Sequence, residues 1–316
     1  MNVAYLVSSP YSGSTLLSFL LNAHPGIGTI SEYDVMDEIA ANQDFLCSCD
    51  EPIRICSFFT KLKSKMEESG LEFEVDDMDM MFNYHESERI NRYLSQKLPL
   101  IHSDSLERIR DQILQLLPYF RNTKKRIFKR NDTFMRSILE LQNAKVFLDA
   151  NKNPYRMKTL NERHDVKAIY LYKNGIGGAF SIYNDNLRKG RSCTMKEASR
   201  RWFIEQLTIN RCLKHLKPEN IHTLSYSDFC RDTAGELNAI HQFLGLNPMG
   251  VDGFSEAEHH IIGNKMRTGD ISTITERSQW KEELSEVQKN EYRSELHNYQ
   301  SKLEELNPAM IEDLWR

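Results

Sequence analysis

An α/β fold with a central parallel sheet flanked by helices is predicted by two observations. Four short runs dense in aliphatic and aromatic residues recur along the chain, Asn2 to Val7, Ala144 to Ala150, Val166 to Tyr172 and Ile221 to Tyr226, each the length of a buried strand. After the first and last of these, apolar residues return at helical spacing, as Leu16, Leu17, Leu20 and Leu21 and as Leu237, Ile240, Phe243 and Leu244. Strands that alternate with helices imply a parallel sheet.

Composition narrows the class. The chain has 316 residues, 40% of them hydrophobic, and a formal net charge of -4, with a mean hydropathy of -0.56. That length suits one large α/β domain, 1–316, carrying an insertion. The charge argues against a generally basic nucleic-acid binder but leaves room for a local basic pocket. No apolar run reaches the roughly 20 residues that span a bilayer. The N-terminus opens on a strand with no basic stretch before it, so a cytoplasmic location is the expectation.

The first strand candidate runs into SPYSGST and then a helix starting near Ser14. Small residues let the backbone curl, Gly13 permits a positive φ, and the helix start adds the positive end of its dipole, so Ser12 to Thr15 read as an anion cradle. The loop is not a Walker A sequence, because Ser8 stands where the first glycine belongs and Ser14 where the lysine belongs. A magnesium-dependent triphosphate site is therefore disfavoured. An ordinary βα turn with a Ser/Thr cap is the plainer alternative.

More than a hundred residues separate the first two strands. Segment 33–140 reads as a mostly helical insertion, with Ile109 to Leu117 among its helix-like stretches. An acidic run around Asp76, Asp77 and Asp79 and a basic run from Lys124 to Arg130 are expected to be solvated helix faces. Cys47, Cys49 and Cys56 lie close together, but a metal site normally wants four ligands and no further Cys or His follows nearby. A reducing compartment disfavours a disulfide. Packing residues, with no metal, are the expectation.

The second strand runs into Lys152, and the third ends in Lys173 followed by a glycine-rich turn, NGIGG. In a parallel sheet the loops after these strands emerge at one edge, where ligands of open α/β sheets bind. Two lysines beside an N–H cradle favour a dianionic or polyanionic ligand. Ser181 falls in the first turns of the next helix, where its hydroxyl either reaches an anion held by Lys173 or faces solvent.

These residues carry a family resemblance. The loop from Pro10 to Leu17, with HPGIGTISE behind it, resembles the 5′-phosphosulfate loop of sulfotransferases that use 3′-phosphoadenosine-5′-phosphosulfate, PAPS. Lys173 to Ser181 is similar to their 3′-phosphate motif. LDANKNPYR resembles the D-x-S-K-x-P segment of bacterial members, and HHIIGNKMR resembles their G-N-x-x-R element, which a tryptophan follows, here Trp280. Four motifs in the family's order cover most of the chain outside the insertion.

The resemblance implies a P-loop-like sulfotransferase fold, PAPS as donor, PAP as product and no metal. It assigns Ser12, Gly13, Ser14 and Thr15 to the 5′-phosphosulfate, Lys173 and Ser181 to the 3′-phosphate, and Asn264 and Arg267 to closure over the donor. Glu32 corresponds to the base of tyrosylprotein-type relatives, with a capping or salt-bridged carboxylate as its plainer reading, and Lys152 becomes the donor-side electrophile. His24, before Pro25, reads as structural, and His259 and His260 as packing or positioning residues. Two departures stand out: Tyr11 replaces a basic residue, and Lys173 replaces an arginine, giving a point charge without a bidentate fork.

Sulfuryl transfer to a hydroxyl or amine acceptor is thus the expected activity, with the insertion on the acceptor side. A P-loop kinase and a catalytically inactive PAP-binding protein are the alternatives. The acceptor's class and the oligomeric state carry no sequence signature here.

Overall fold

The computed structural model describes residues 1–33, 36–96, 104–250, 260–262, 274–276 and 278–314. The chain opens with β1 (Asn2–Ser8), α1 (Ser14–Asn22) and β2 (Ile27–Gly28), followed by α2 (Met36–Ala41), α3 (Ser57–Glu68), α4 (Glu88–Ser95), α5 (Asp104–Leu116) and α6 (Pro118–Leu141). It continues with β3 (Val146–Asp149), α7 (Pro154–Leu160), β4 (Val166–Tyr172), α8 (Gly175–Arg188) and α9 (Met195–Leu213). It closes with β5 (Ile221–Ser225), α10 (Tyr226–Arg231), α11 (Thr233–Leu244), α12 (Trp280–Glu283), α13 (Glu286–Asn298) and α14 (Pro308–Asp313).

The expected α/β class is the observed one. A five-stranded sheet runs in the order β2-β3-β1-β4-β5, and every pairing is parallel. Register sets Tyr5 opposite Asp149, Ser8 opposite Leu171, and Tyr172 opposite Ser225. The strand order reverses around β1, and in open α/β sheets such a reversal is where ligands bind, beyond the carboxyl ends of the strands. The two-residue β2 was missed in the sequence because it is too short to carry periodicity.

Side-chain alternation divides the core into two layers. Val3, Tyr5 and Val7 of β1 join one buried cluster with Phe147, Ala168 and Tyr170. Ala4 and Leu6 join the other with Leu148, Ile169 and Leu171. Burial on both faces explains why these strands read as continuous apolar runs. Against the second face lie α1 and α11, through Leu16, Leu17, Leu20 and Leu21 and through Leu237, Ile240 and Leu244. At about 1.5–3 kcal/mol for each fully buried leucine, the four on α1 contribute roughly 6–12 kcal/mol. That outweighs the cost of about 1 kcal/mol for a helix start without a side-chain cap.

Two expectations are corrected, one before β3 and one after β4. The basic run does lie on a helix, α6, but the acidic run does not. Glu74 and Asp77 pair across a short turn, Asp79 has a φ of 48°, and Asp76 takes Arg54 at 3.0 Å. Asp residues favour turns because their side chains compete for nearby backbone donors. The second correction concerns the NGIGG segment, whose glycines belong to the first turn of α8 rather than to a loop. The Asn174 side chain caps that turn by accepting from Gly177 N–H at 2.9 Å. A Cβ on Gly178 would run into the Trp202 indole, so the glycine permits α8 to lie close against α9.

Candidate functional site

The cradle is built on two left-handed residues. Tyr11 has a φ of 65° and Gly13 of 85°, which turns the chain sharply between β1 and α1. Gly13 is the residue at the start of α1, and neither a side-chain cap nor an acidic residue occupies its first turn. The helix start is left open to an anion. Ser12 is fully buried, and its hydroxyl lies 2.8 Å from that of Ser9, so Ser12 faces the loop through its backbone. The Ser8 hydroxyl is buried at the same edge and has no hydrogen-bond partner among the described residues.

Glu32 and Lys152 meet beside this loop. Thr15 donates its hydroxyl to Glu32 Oε1 at 3.0 Å, and Lys152 Nζ lies 2.7 Å from the same oxygen. Glu32 is therefore the salt-bridged carboxylate of the plainer reading, and its partner is the other predicted catalytic residue. Lys152 holds a φ of 63° at the centre of a tight turn closed by Asn153 N–H on the Asn151 carbonyl at 2.8 Å. A lysine in this region is strained by roughly 1–2 kcal/mol, and such strain persists where the surroundings impose it.

The surroundings here are a buried network that the sequence did not reveal. Asp149 ends β3 and accepts from Tyr33 Oη at 2.6 Å and from Arg156 Nε at 2.9 Å. Arg156 also reaches the Met80 carbonyl and Asn131 Oδ1, both at 2.6 Å, and the Tyr33 hydroxyl. Burial pushes the Tyr33 phenol well up, so it stays a donor. Tyr33 follows Glu32 and Asp149 precedes Lys152 by three residues, so the network holds both arms of the Glu32–Lys152 pair. Asn153 then caps α7 by accepting from Tyr155 and Arg156 N–H, with Pro154 in the first turn.

The second half of the site lies across the loop. Lys173 Nζ is 3.2 Å from Ser181 Oγ, and Ser181 also donates to the Gly177 carbonyl at 2.8 Å. Ser181 thus turns toward Lys173 rather than to solvent, which corrects the plainer expectation. Lys173 is buried and its Nζ sits 5.2 Å from the centroid of the Tyr226 ring. A Cβ on Gly13 would approach Tyr226 Cε2 to 2.6 Å, so that ring spans from the cradle to Lys173. The sequence placed Tyr226 at the end of the fourth strand and gave it no role at the site; its position directly after β5, at the loop edge, was the available signal.

Residues 4–314 match a family model described as a sulfotransferase domain. The chain belongs to the sulfotransferase family. The sulfotransferase is similar in fold to the sulfotransferase domain from the curacin biosynthetic pathway, with a TM-score of 0.53 at 15% identity over 95% of this chain and 97% of that one. A sulfotransferase from Alicyclobacillus acidocaldarius gives a TM-score of 0.45 at 12% identity over 99% of both chains. No curated protein matches by sequence.

Tyr11, the departure from the family's basic residue, engages α8 in this sulfotransferase. Burial raises its phenol pKa, and a hydrogen bond to Asp185 raises it further; Asp185 in turn holds Lys189 at 2.8 Å. Asn264, Arg267 and His259 lie outside the described residues. Ile262, just before that element, pairs with Ser31 and donates its N–H to the Ile30 carbonyl at 3.0 Å, next to Glu32. His24 is structural, with Nδ1 accepting from Gly26 N–H at 2.9 Å and Nε2 3.0 Å from the Asn247 carbonyl. No helix among the described residues is long and apolar enough to cross a membrane. A cavity of about 430 Å³ between α5, α6 and α7 includes Lys124, Lys158 and Arg163 but no cradle residue.

Proposed function

We propose that this sulfotransferase moves the sulfuryl group of PAPS to a hydroxyl or amine acceptor. The observation that carries the reading is the contact of Lys152, Glu32 and Thr15 at the open start of α1. The fit to the donor rests on three features: the uncapped helix start, the orphaned Ser8 hydroxyl, and Lys173 with Ser181 one ring away. Backbone N–H groups of residues 12–15 would hold the 5′-phosphosulfate, and Lys173 and Ser181 the 3′-phosphate, with Asn264 and Arg267 closing over the donor. PAPS supplies an activated sulfuryl group whose leaving phosphate is already anionic.

The protein's part is positioning and charge neutralisation, as in phosphoryl transfer. Lys152 would place its ammonium beside the transferring group. Glu32 would accept the proton that the acceptor's hydroxyl or amine loses during attack. Their ion pair holds the Glu32 carboxylate in place until substrates arrive, and the Asp149–Arg156–Tyr33 network keeps both at the edge. Met80 and Asn131 join this network from the segment before β3, which supports placing the acceptor against the mostly helical stretch 33–140.

Titration calorimetry with PAP tests the donor site. Lys173→Ala and Ser181→Ala should each weaken binding, the first by at least tenfold, because a charge-assisted hydrogen bond contributes about 1.5–3 kcal/mol. Glu32→Gln should bind PAP normally and lose turnover with labelled PAPS. PAP affinity unchanged in both Lys173→Ala and Ser181→Ala would overturn the assignment, and magnesium-dependent ATP turnover would favour a kinase instead.

A further inference from the structure

The three cysteines that the sequence left as packing residues acquire a fourth partner in the fold. Leu46 and Pro52 pair across a tight turn, in which Asp50 has a φ of 64°, and this brings Cys47 and Cys49 toward Cys56 at the start of α3. His260 arrives from 204 residues beyond Cys56. It is anchored by its neighbour Ile261, which donates N–H to Ser48 Oγ at 2.8 Å and accepts from Ser48 N–H at 3.2 Å. The His260 ring stacks on Phe58 with centroids 4.7 Å apart and planes 7° off parallel.

The ligand atoms face one another. Cys49 Sγ is 3.6 Å from Cys56 Sγ, and His260 Nδ1 is 3.5 Å from Cys56 Sγ and 3.8 Å from Cys47 Sγ. All four lie within 4.8 Å of one another. Zinc bonds of about 2.3 Å to sulfur and about 2.0 Å to nitrogen set tetrahedral ligand edges of roughly 3.5–3.8 Å. The three shortest contacts match those edges. Burial pushes the thiols of Cys47 and Cys56 up, and the N–H groups of Cys49 for the first and of Phe59 and Phe58 for the second act in the opposite direction. Those donors are placed to hold thiolates once a cation offsets the burial.

We propose that Cys47, Cys49, Cys56 and His260 form a structural zinc site that ties the segment before α3 to the strand-like residues 260–262. Four protein ligands leave no open position, so the ion is structural rather than catalytic. Each cysteine binds as a thiolate and releases its proton to solvent, while His260 binds as the neutral ring through Nδ1. Cys49, the least buried of the three thiols, is the route by which the ion arrives. The ion would fix residues 260–262 beside Ser31 and Glu32 and so set where the GNKMR element begins. A Cys49–Cys56 disulfide would leave Cys47 and His260 without a reason to converge.

Metal analysis of the full chain purified under reduction should find about one zinc per chain. Apo protein titrated with Co(II) should show thiolate-to-cobalt charge transfer and the intense d–d bands of a tetrahedral site, with about three protons released per ion. Cys56→Ser and His260→Ala should lose zinc or bind it at least tenfold more weakly, whereas Cys230→Ser should keep it. Wild-type protein that holds no zinc and gives no charge-transfer bands with Co(II) overturns the site, whatever the variants do. A Cys49–Cys56 disulfide trapped by alkylation of a reducing lysate overturns it equally.

Discussion

Gly13 carries two constraints at once, a φ of 85° and a ring packed where its Cβ would be. The first was anticipated from the glycine in the loop, whereas the packed Tyr226 ring is visible only in the fold. Gly13→Ala should cost at least about 1–2 kcal/mol in urea denaturation, the price of a left-handed L-residue. It should also push Tyr226 away from Lys173 and weaken PAP binding beyond what the stability loss explains. Lys152 shows the converse case. It drew attention from its place after a strand, but its left-handed backbone, in a turn that Asn153 closes on Asn151, is a feature that only the fold reveals.

Helix α11 shows how an apolar pattern can hide a titrating group. His241 is buried on this helix, its Nδ1 accepts from Met249 N–H at 3.4 Å, and its ring lies 4.5 Å from that of His24. Burial first, and His24 second, lower its pKa to about 4. In the unfolded chain it titrates near 6.5, so between these values the unfolded state binds the proton and the folded state does not. Stability from this group is therefore full above about pH 6.5 and falls as the pH drops toward 4. At about 1.4 kcal/mol per unit the loss is at most about 3 kcal/mol. Denaturation midpoints measured across that range should show the slope, and His241→Gln should flatten it.

The two sides of the molecule meet in the Asp149–Arg156 pair. Its atoms are buried, with side-chain exposures of 0% for Asp149 and 1% for Arg156, and its partners come from the β2–β3 connection as well as from β3 and α7. Replacing one member leaves the other charge unpaired in the core, which costs about 3–5 kcal/mol. Arg156→Met should therefore lower the unfolding free energy by that amount. At temperatures where the variant stays folded, its turnover should fall further than its PAP affinity, because the pair holds Lys152 and Glu32 and not Lys173. Equal losses in both would argue that the network is only structural.

Composition and periodicity were enough for the α/β class, the four longer parallel strands and the edge at which their loops gather, because strand length and apolar runs are local properties. Ser12 to Thr15, Lys152 and Lys173 drew attention for the same reason, standing at strand ends or a helix start, whereas Glu32 and the pairing of Lys173 with Ser181 were singled out through the family resemblance. Contacts between distant segments were not legible. Glu32 with Lys152, the Tyr226 ring under Lys173, the Arg156 network and His260 beside three cysteines all join residues far apart in the chain, and a hydrogen bond or ligand set of that kind leaves no periodic trace. The open loop before α1 shows both limits together: its small residues predicted a sharp turn into a helix, and the fold alone determined that the Ser12 hydroxyl turns to Ser9 while Thr15 reaches the Glu32 carboxylate.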